Sequence, residues 1–180
     1  MRKVTNALHL AAGDELKSDF NFIEFTNGMA YCTDKHVAVI VPVTELFNCD
    51  QAEADQLNGK SMHIEVWKSM VYNKKCILKD GVVYFSINPK RHPSYAVLFA
   101  DRAQIIAAKI EAIWPQGKDE KAVSQIGLNW NMFLRAQKAT GVGASRMTFF
   151  GSTKSVLVDC SQGKSAAKAL VMPVMIFNEQ

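Results

Sequence analysis

The sequence predicts an α+β fold with mainly antiparallel sheets, and two observations support this prediction. Short runs of β-branched and aromatic residues are separated by turn signals such as Asn27-Gly28 and Asp80-Gly81, a pattern typical of antiparallel strands. The order strand, helix, three strands occurs twice, which indicates an internal structural repeat. With 180 residues, of which 48% are hydrophobic, the chain can bury a core of one or two compact units.

The first third of the chain is predicted to form strands. Aromatic and β-branched residues at 20–25 lead into the Asn27-Gly28 turn, and further strands are expected at Met29–Thr33 and Val37–Val41. The Val37–Val41 run is entirely apolar, which favours a strand buried on both faces. Segment 48–59 is polar and acidic and is therefore predicted to be an exposed connection.

The repeated units follow, separated by a helix. The first unit comprises strand Met62–Ile64, helix Glu65–Tyr72, hairpin strands Lys75–Leu78 and Val82–Ile87, and strand Tyr95–Phe99. Ile106, Ile110 and Ile113 recur at helical spacing between Asp101 and Trp114-Pro115, and Asp101 with Gln104 resembles a capping box. The second unit comprises strand Val123–Leu128, helix Asn129–Thr140, and strands Arg146–Phe150, Lys154–Asp159 and Ala167–Ile176. These patterns predict an N-terminal unit (1–100), a helical linker (101–121) and a C-terminal unit (122–180).

The spacing of the cysteines and the hydropathy of the chain predict its cofactors and its cellular compartment. The four cysteines are far apart and form no CxxC pair, so we expect no metal site or other cofactor, and reduced thiols in the cytoplasm. The longest apolar run, Val37–Val43, is too short to cross a bilayer, and no membrane partner is predicted.

One cluster of side chains has the residue types of a catalytic nucleophile and base. Cys32, Asp34 and His36 lie close together and could be a nucleophile with a base. Alternate residues of a strand share a face without any functional reason, and nothing in the sequence specifies an oxyanion site. The structural interpretation is therefore favoured, no catalytic residue is predicted, and an enzyme using Cys32 and His36 stays a minor alternative.

Charge is distributed unevenly along the chain. Residues 14–55 contain nine acidic and two basic residues, whereas the net charge of the whole chain is +4. Basic residues recur on or just after the helices of both repeated units, where long cationic side chains suit sequence-independent contacts to phosphates. A solvated helix face is the alternative interpretation for either helix alone. The predicted DNA-binding residues are Lys68, Lys74, Lys75, Arg135 and Lys138.

The C-terminal part of the chain combines a strand and turn with Ile126, Gly127 and Asn129, a helix, two strands, and a last strand that ends in Val171-Met172-Pro173. This segment, from Ile126 to Ile176, resembles the closing half-domain of the bacterial DNA polymerase III β subunit, the sliding-clamp family. A weaker resemblance joins Cys32–Val39 to the family's Ala-Thr-Asp-Gly-His-Arg-Leu-Ala segment, and Phe99-Ala100-Asp101 to its interdomain linker. The resemblance implies a DNA clamp (processivity-factor) fold. The matching C-terminal residues are Ile126, Gly127, Asn129, Phe133, Leu134, Arg146, Met147, Ser155, Ser165, Ala166, Ala167, Val171, Met172 and Pro173.

The resemblance also implies a function and a set of partners. Proteins of this family encircle double-stranded DNA non-specifically, tether a DNA polymerase and catalyse no reaction. They also have a cleft that binds peptides of the polymerase and of the clamp loader. The matching cleft positions are Thr33, His36, Ala38, Leu170, Val171, Met172, Pro173, Val174 and Ile176.

This chain departs from the family in length and in the cleft. Lys35 replaces the family's glycine before the histidine, and Met175 replaces the arginine that follows the family's Met-Pro-Met. A clamp subunit of this family has three domains, and 180 residues are too few to form three such domains. A closed ring is therefore expected to need a homo-oligomer with more subunits than the usual two or three. The alternative function is a clamp-fold module that binds peptides without encircling DNA.

Overall fold

The computed structural model of the chain describes residues 6–13, 18–73, 76–85, 95–97, 99–115, 123, 125–141, 145–159 and 165–174. Within these residues the strands form an eight-stranded and a three-stranded sheet. Each pair of neighbouring strands in the two sheets is antiparallel. The predicted α+β class with antiparallel sheets is confirmed.

The strands of the large sheet come from both ends of the chain. In chain order the strands are β1 (Phe22–Thr26), β2 (Met29–Thr33), β3 (Val37–Pro42), β4 (Lys60–His63), β5 (Cys76–Lys79), β6 (Val82–Phe85), β7 (Tyr95–Val97), β8 (Ala100–Asp101), β9 (Arg146–Thr148), β10 (Val156–Asp159) and β11 (Lys168–Val171). The large sheet has the order β8-β4-β1-β2-β3-β11-β10-β9, and the small sheet the order β5-β6-β7. Because β3 pairs with β11, strands of the two predicted units share one sheet. The boundaries proposed for these units stay a prediction.

The helices pack on both faces of the large sheet. In chain order they are α1 (Val43–Phe47), α2 (Gln51–Asp55), α3 (Ile64–Asn73), α4 (Ile105–Ile113) and α5 (Trp130–Thr140), with 3-10 turns at Leu8–Ala11 and Ser18–Asn21. The predicted helices of the two units and of the linker are thus confirmed, with shorter bounds for α4. No helix in the described part of the chain is long and apolar enough to span a bilayer.

Alternation along the central strands divides the core into two parts. In β3, Val37, Val39 and Val41 belong to the larger core, which includes side chains of α3 and α5. Ala38 points the other way and packs with Ile106 and Ile110 of α4 in a smaller core. The prediction that this strand is buried on both faces is confirmed, and the two cores place α4 opposite α3 and α5.

The structure confirms the predicted turn at Asn27-Gly28 and differs from the prediction for segment 48–59. Asn27 (φ 51°) and Gly28 (φ 70°) join β1 to β2 with the two positive φ angles that the predicted type I′ turn requires. Segment 48–59 is not merely an exposed connection, because Asp50 and Glu53 form a capping box that begins α2. Leu57 is also fully buried in the larger core.

The predicted capping box at the start of α4 is wrong. The helix begins at Ile105, and Gln104 at the N-cap makes no side-chain capping bond. Instead, the buried Glu24 carboxylate of β1 accepts hydrogen bonds from the amides of Ile105 (3.0 Å) and Ala107 (2.9 Å). A carboxylate from the sheet thus satisfies two free amides at the positive end of the helix dipole and fixes α4 on the sheet.

Candidate functional site

Helices α3 and α5 lie on the same face of the large sheet, and the N-terminal segment joins them. The carbonyl of Asn6 accepts a hydrogen bond from Nε1 of Trp67 in α3 at 2.8 Å. Asn6 Nδ2 donates to the carbonyl of Thr140 at 2.7 Å, and the amide of Ala7 donates to the carbonyl of Lys138 at 2.9 Å. These bonds satisfy carbonyls that the end of α5 leaves free. We refer to α3, α5 and the turn Leu8–Ala11 as the helical layer.

Two of the predicted DNA-binding lysines extend from the helical layer. Lys68 is 43% exposed, and its Nζ lies 3.6 Å from Oε2 of Glu65 one turn earlier. Lys138 is exposed in the last turn of α5. An exposed ion pair of this kind contributes little to stability, so a phosphate could replace Glu65 as the partner of Lys68 at small cost. Lys74 and Lys75 lie outside the described residues.

Arg135 is placed differently from the two lysines. Its Nη2 forms an ion pair with Oδ2 of Asp34, and its Nε donates to the carbonyl of Leu10 at 2.6 Å. Oδ1 of Asp34 accepts from the amides of His36 (2.9 Å) and Val37 (2.8 Å). The guanidinium thus joins α5 to the turn between β2 and β3 and to the Leu8–Ala11 turn. This arrangement does not favour the predicted phosphate contact by Arg135.

His9 lies in the helical layer near Lys68. Burial, and secondarily the positive charge of Lys68, lowers the pKa of His9 below its ordinary value, although Glu65 opposes this effect. The imidazole is therefore neutral at pH 7 and adds no positive charge to this surface.

A pocket of about 350 Å³ lies on the opposite face of the sheet, beside α4. The sheet side of this pocket, which we call the α4 pocket, consists of residues from the β2–β3 turn and the ends of β2, β3 and β11. Five predicted cleft residues come together there: Thr33, His36, Ala38, Leu170 and Met172. Three strands contribute because β3 pairs with both β2 and β11, with Ala38 opposite Thr33 on one side and Leu170 on the other.

The other wall of the α4 pocket comes from α4 and from the Ser18–Asn21 turn. Phe20 of that turn and Ile110 of α4 are buried, whereas Ile113 at the end of α4 is 57% exposed. Met172 on the sheet side is 37% exposed. An apolar concavity with large exposed apolar side chains at its rim is typical of a site that docks a partner's side chains.

The other predicted cleft residues in the described part of the chain are not among the residues that line the α4 pocket. Val171 points into the larger core on the opposite face, because successive residues of a strand alternate. Val174 forms an isolated bridge with Gly127, and Pro173 lies between Val174 and Met172. Ile176 lies outside the described residues. Their predicted role in peptide binding stays a prediction.

Cys32 and His36, the hypothetical nucleophile and base, lie on opposite faces of the large sheet. Cys32 is fully buried in the larger core, where burial first and the nearby Asp34 second raise the pKa of its thiol. His36 lines the α4 pocket on the other face, and the Asp34 carboxylate is bonded to Arg135. This arrangement does not favour a nucleophile–base pair. No group of three or more possible metal-ligating side chains occurs among the described residues.

Thiol labelling tests this placement of Cys32. With iodoacetamide at pH 8, we expect Cys32 in the native protein to react at least about tenfold more slowly than in the urea-unfolded chain, because a buried neutral thiol is a poor nucleophile. Cys76, whose pKa burial raises to about 12, should behave in the same way. Mass spectrometry of the digested protein assigns the label to each cysteine. Fast labelling of Cys32 in the native state would contradict the structure.

The fold is that of the DNA polymerase sliding clamps. No protein-family profile and no curated protein sequence matches the chain. A crystal structure of the DNA polymerase sliding clamp from Pseudomonas aeruginosa superposes with a TM-score of 0.53 and 12% identity, over 96% of this chain and 64% of that chain. A second structure of that clamp, with a ligand, gives a TM-score of 0.51 and 11% identity over 98% of this chain and 66% of that chain. At 11–12% sequence identity, this similarity shows the fold alone.

Several residues of the α4 pocket were missed by sequence reasoning. Phe20, Lys35, Lys109 and Ile113 line it but were not predicted. One signal was present, because the isoleucines of α4 at three- and four-residue spacing predict an apolar side that must pack on something. The sequence does not show which face of the sheet this helix covers, and that position decides which strand residues become its neighbours.

Proposed function

We propose that this chain is a sliding-clamp-like protein that associates non-specifically with double-stranded DNA and tethers a partner protein there without catalysing a reaction. One observation supports the proposal most directly: within a clamp fold, the helical layer and the α4 pocket lie on opposite faces of one sheet. A DNA-facing surface and a peptide-binding surface can therefore be occupied at the same time. DNA polymerase and clamp-loader peptides are the proposed partners.

The proposed DNA association is electrostatic and topological. Lys68 and Lys138 would contact phosphates without reading bases, which requires only cationic side chains on an accessible surface. Retention on DNA would come from a closed homo-oligomer of this chain. The chain spans 64% of the length of the clamp subunit that it resembles. Sedimentation analysis should then show a discrete oligomer, whereas a monomer in the presence of DNA would contradict encirclement.

Retention on circular DNA tests the proposal. The protein is loaded on nicked circular duplex at low salt, washed at increasing salt, and compared with the same duplex after linearisation. We expect the circle to retain protein at salt concentrations at which the linear molecule has released it, because a ring leaves DNA only through an end. Absence of affinity for both forms at low salt would overturn the proposal.

A double charge reversal tests the helical layer. The variant Lys68→Glu/Lys138→Glu should lose at least about tenfold of its affinity for duplex DNA at low salt, and the slope of log K against log salt should decrease by about two. The matched control is Lys79→Glu/Lys154→Glu, which makes the same charge change at exposed positions outside the layer. Equal losses in both variants would show that net charge, rather than this surface, governs binding.

A peptide-binding module that does not encircle DNA is the second candidate function. It is favoured by the five predicted cleft residues in one pocket and by Arg135, whose charge is paired within the fold. For this candidate, Met172→Glu should abolish capture of partner peptides, while Lys68→Glu and Lys138→Glu should change nothing. The leading proposal instead requires both kinds of variant to impair retention of a partner on DNA.

A further inference from the structure

The outer face of α5 carries a large aromatic side chain that faces solvent. Trp130, the first residue of the helix, is 70% exposed, and Leu134 one turn later is 46% exposed. The other side of the helix, with Phe133 and Ala136, packs in the larger core. Trp130 therefore contributes little to the core, and two neighbouring exposed apolar residues on one helix face are typical of a binding surface.

The indole ring of Trp130 is supported by a buried neighbour. Its centroid lies 5.7 Å from that of the Phe133 ring, at an interplanar angle of 53°. Phe133 is buried and contacts one side of the indole, while most of Trp130 stays accessible. An aromatic side chain that is positioned in this way loses little conformational entropy when it binds a flat partner.

Positive charge lies on the same face of the helix. Trp130, Leu134 and Lys138 follow one another at four-residue spacing, which places Lys138 about 12 Å along the helix axis from Trp130. Lys138 is exposed. Helix α5 contains no acidic residue, and Glu65, the acidic residue of α3, is paired with Lys68. This face thus combines an aromatic ring with a cationic side chain and does not repel a polyanion.

These features suit single-stranded DNA better than duplex DNA. In a duplex, both faces of each base are covered by its neighbours, and insertion of a side chain requires unstacking. An unpaired base offers a free face to an aromatic ring, and a lysine nearby can neutralise a phosphate of the same strand. Phosphate contacts alone explain the lysines of the helical layer, but they give no reason for an exposed tryptophan beside them.

We infer that the outer face of α5 binds single-stranded DNA, with an unpaired base stacked on Trp130 and a phosphate of the same strand beside Lys138. This inference rests on the proposed association of the helical layer with DNA. It adds a preference for DNA that contains a single-stranded segment, and it assigns a binding role to Trp130.

Titration of three matched DNA molecules tests the inference. A dye-labelled oligothymidylate, an abasic strand with the same number of phosphates, and a blunt duplex of the same length are titrated with the full-length protein at low salt. Fluorescence anisotropy should show that oligothymidylate binds at least about fivefold more tightly than the abasic strand, the lower limit expected for the stacking of one base. Trp130→Leu should remove this difference and change the affinities for the abasic strand and the duplex by less than about twofold.

Intrinsic fluorescence and two further variants make the result specific. Oligothymidylate should quench the tryptophan emission of the native protein, whereas the abasic strand should not. Trp130→Phe keeps an aromatic face and should retain most of the preference, while Trp130→Leu keeps only apolar surface. Ile77→Ala is the matched control, because Ile77 is a 41% exposed apolar residue outside the helical layer, and it should change none of the affinities. Thermal unfolding checks the folding of each variant.

The outcomes separate the inference from the proposed function. Equal binding of oligothymidylate and the abasic strand, without quenching, overturns the inference and leaves electrostatic association with DNA intact. If Trp130→Leu keeps the preference but sediments as a smaller oligomer, this face is an interface between copies of the chain, and the inference is likewise overturned. Absence of binding to all three molecules at low salt overturns the proposed DNA association together with the inference.

Discussion

Replacing Glu24 with alanine is expected to lower the free energy of unfolding by about 3 kcal/mol and to release the first turn of α4. The two amides of Ile105 and Ala107 would lose a charged acceptor, and the exclusion of water from this site prevents easy replacement. Urea denaturation measures the loss. Hydrogen exchange of the α4 amides should report local opening well before the sheet unfolds.

Two further variants make this result specific. Glu24→Gln keeps one oxygen acceptor but places an NH₂ group near an amide that donates, so it should cost less than alanine without being neutral. Asp101→Asn is the matched control, because the sequence favours Asp101 as a cap but the structure shows Glu24 in that role; it should change stability by less than about 0.5 kcal/mol. A large loss with Asp101→Asn and none with Glu24→Ala would show that the helix is capped locally.

The contrast between Glu24 and Asp101 shows what the sequence could predict. Elements set by nearby residues were predicted well, such as the Asn27-Gly28 turn and helix α5, which Asn129 caps and Gly141 ends. The cap of α4 is contributed by a residue about eighty positions earlier in the chain, and no local pattern indicates it. Long-range pairing of this kind depends on the register of the sheet and on the face that each helix covers.

The same reasoning applies to the two candidate surfaces. Strand alternation in β11 separates Leu170, which lines the α4 pocket, from Val171, which is buried in the larger core. The resemblance to the clamp family predicted both residues as part of the cleft, because a match between sequences does not specify which way each side chain points. On the helical layer, Arg135 and Lys138 are three positions apart. Arg135 is paired internally because the β2–β3 turn places Asp34 beside it, and the sequence around the two basic residues does not show this.

Replacing Arg135 with methionine should lower the free energy of unfolding by about 2–3 kcal/mol, whereas Lys138→Met should change it by less than about 0.5 kcal/mol. Methionine keeps much of the aliphatic volume but leaves Asp34, whose side chain is 9% exposed, without its counter-charge. It also leaves the carbonyl of Leu10 without its side-chain donor. The cost stays below that of a fully buried pair because Arg135 is 34% exposed.

A double-mutant cycle and DNA affinity together decide the role of Arg135. Asp34→Asn keeps an oxygen that can accept from the amides of His36 and Val37, so Arg135→Met should cost about 1–2 kcal/mol less in that background. For the folded proteins at low salt, Arg135→Met should change DNA affinity by less than about twofold, while Lys138→Met should weaken it severalfold. The opposite order of affinities, with additive stabilities, would mean that Arg135 faces DNA and that its bond to Asp34 is incidental.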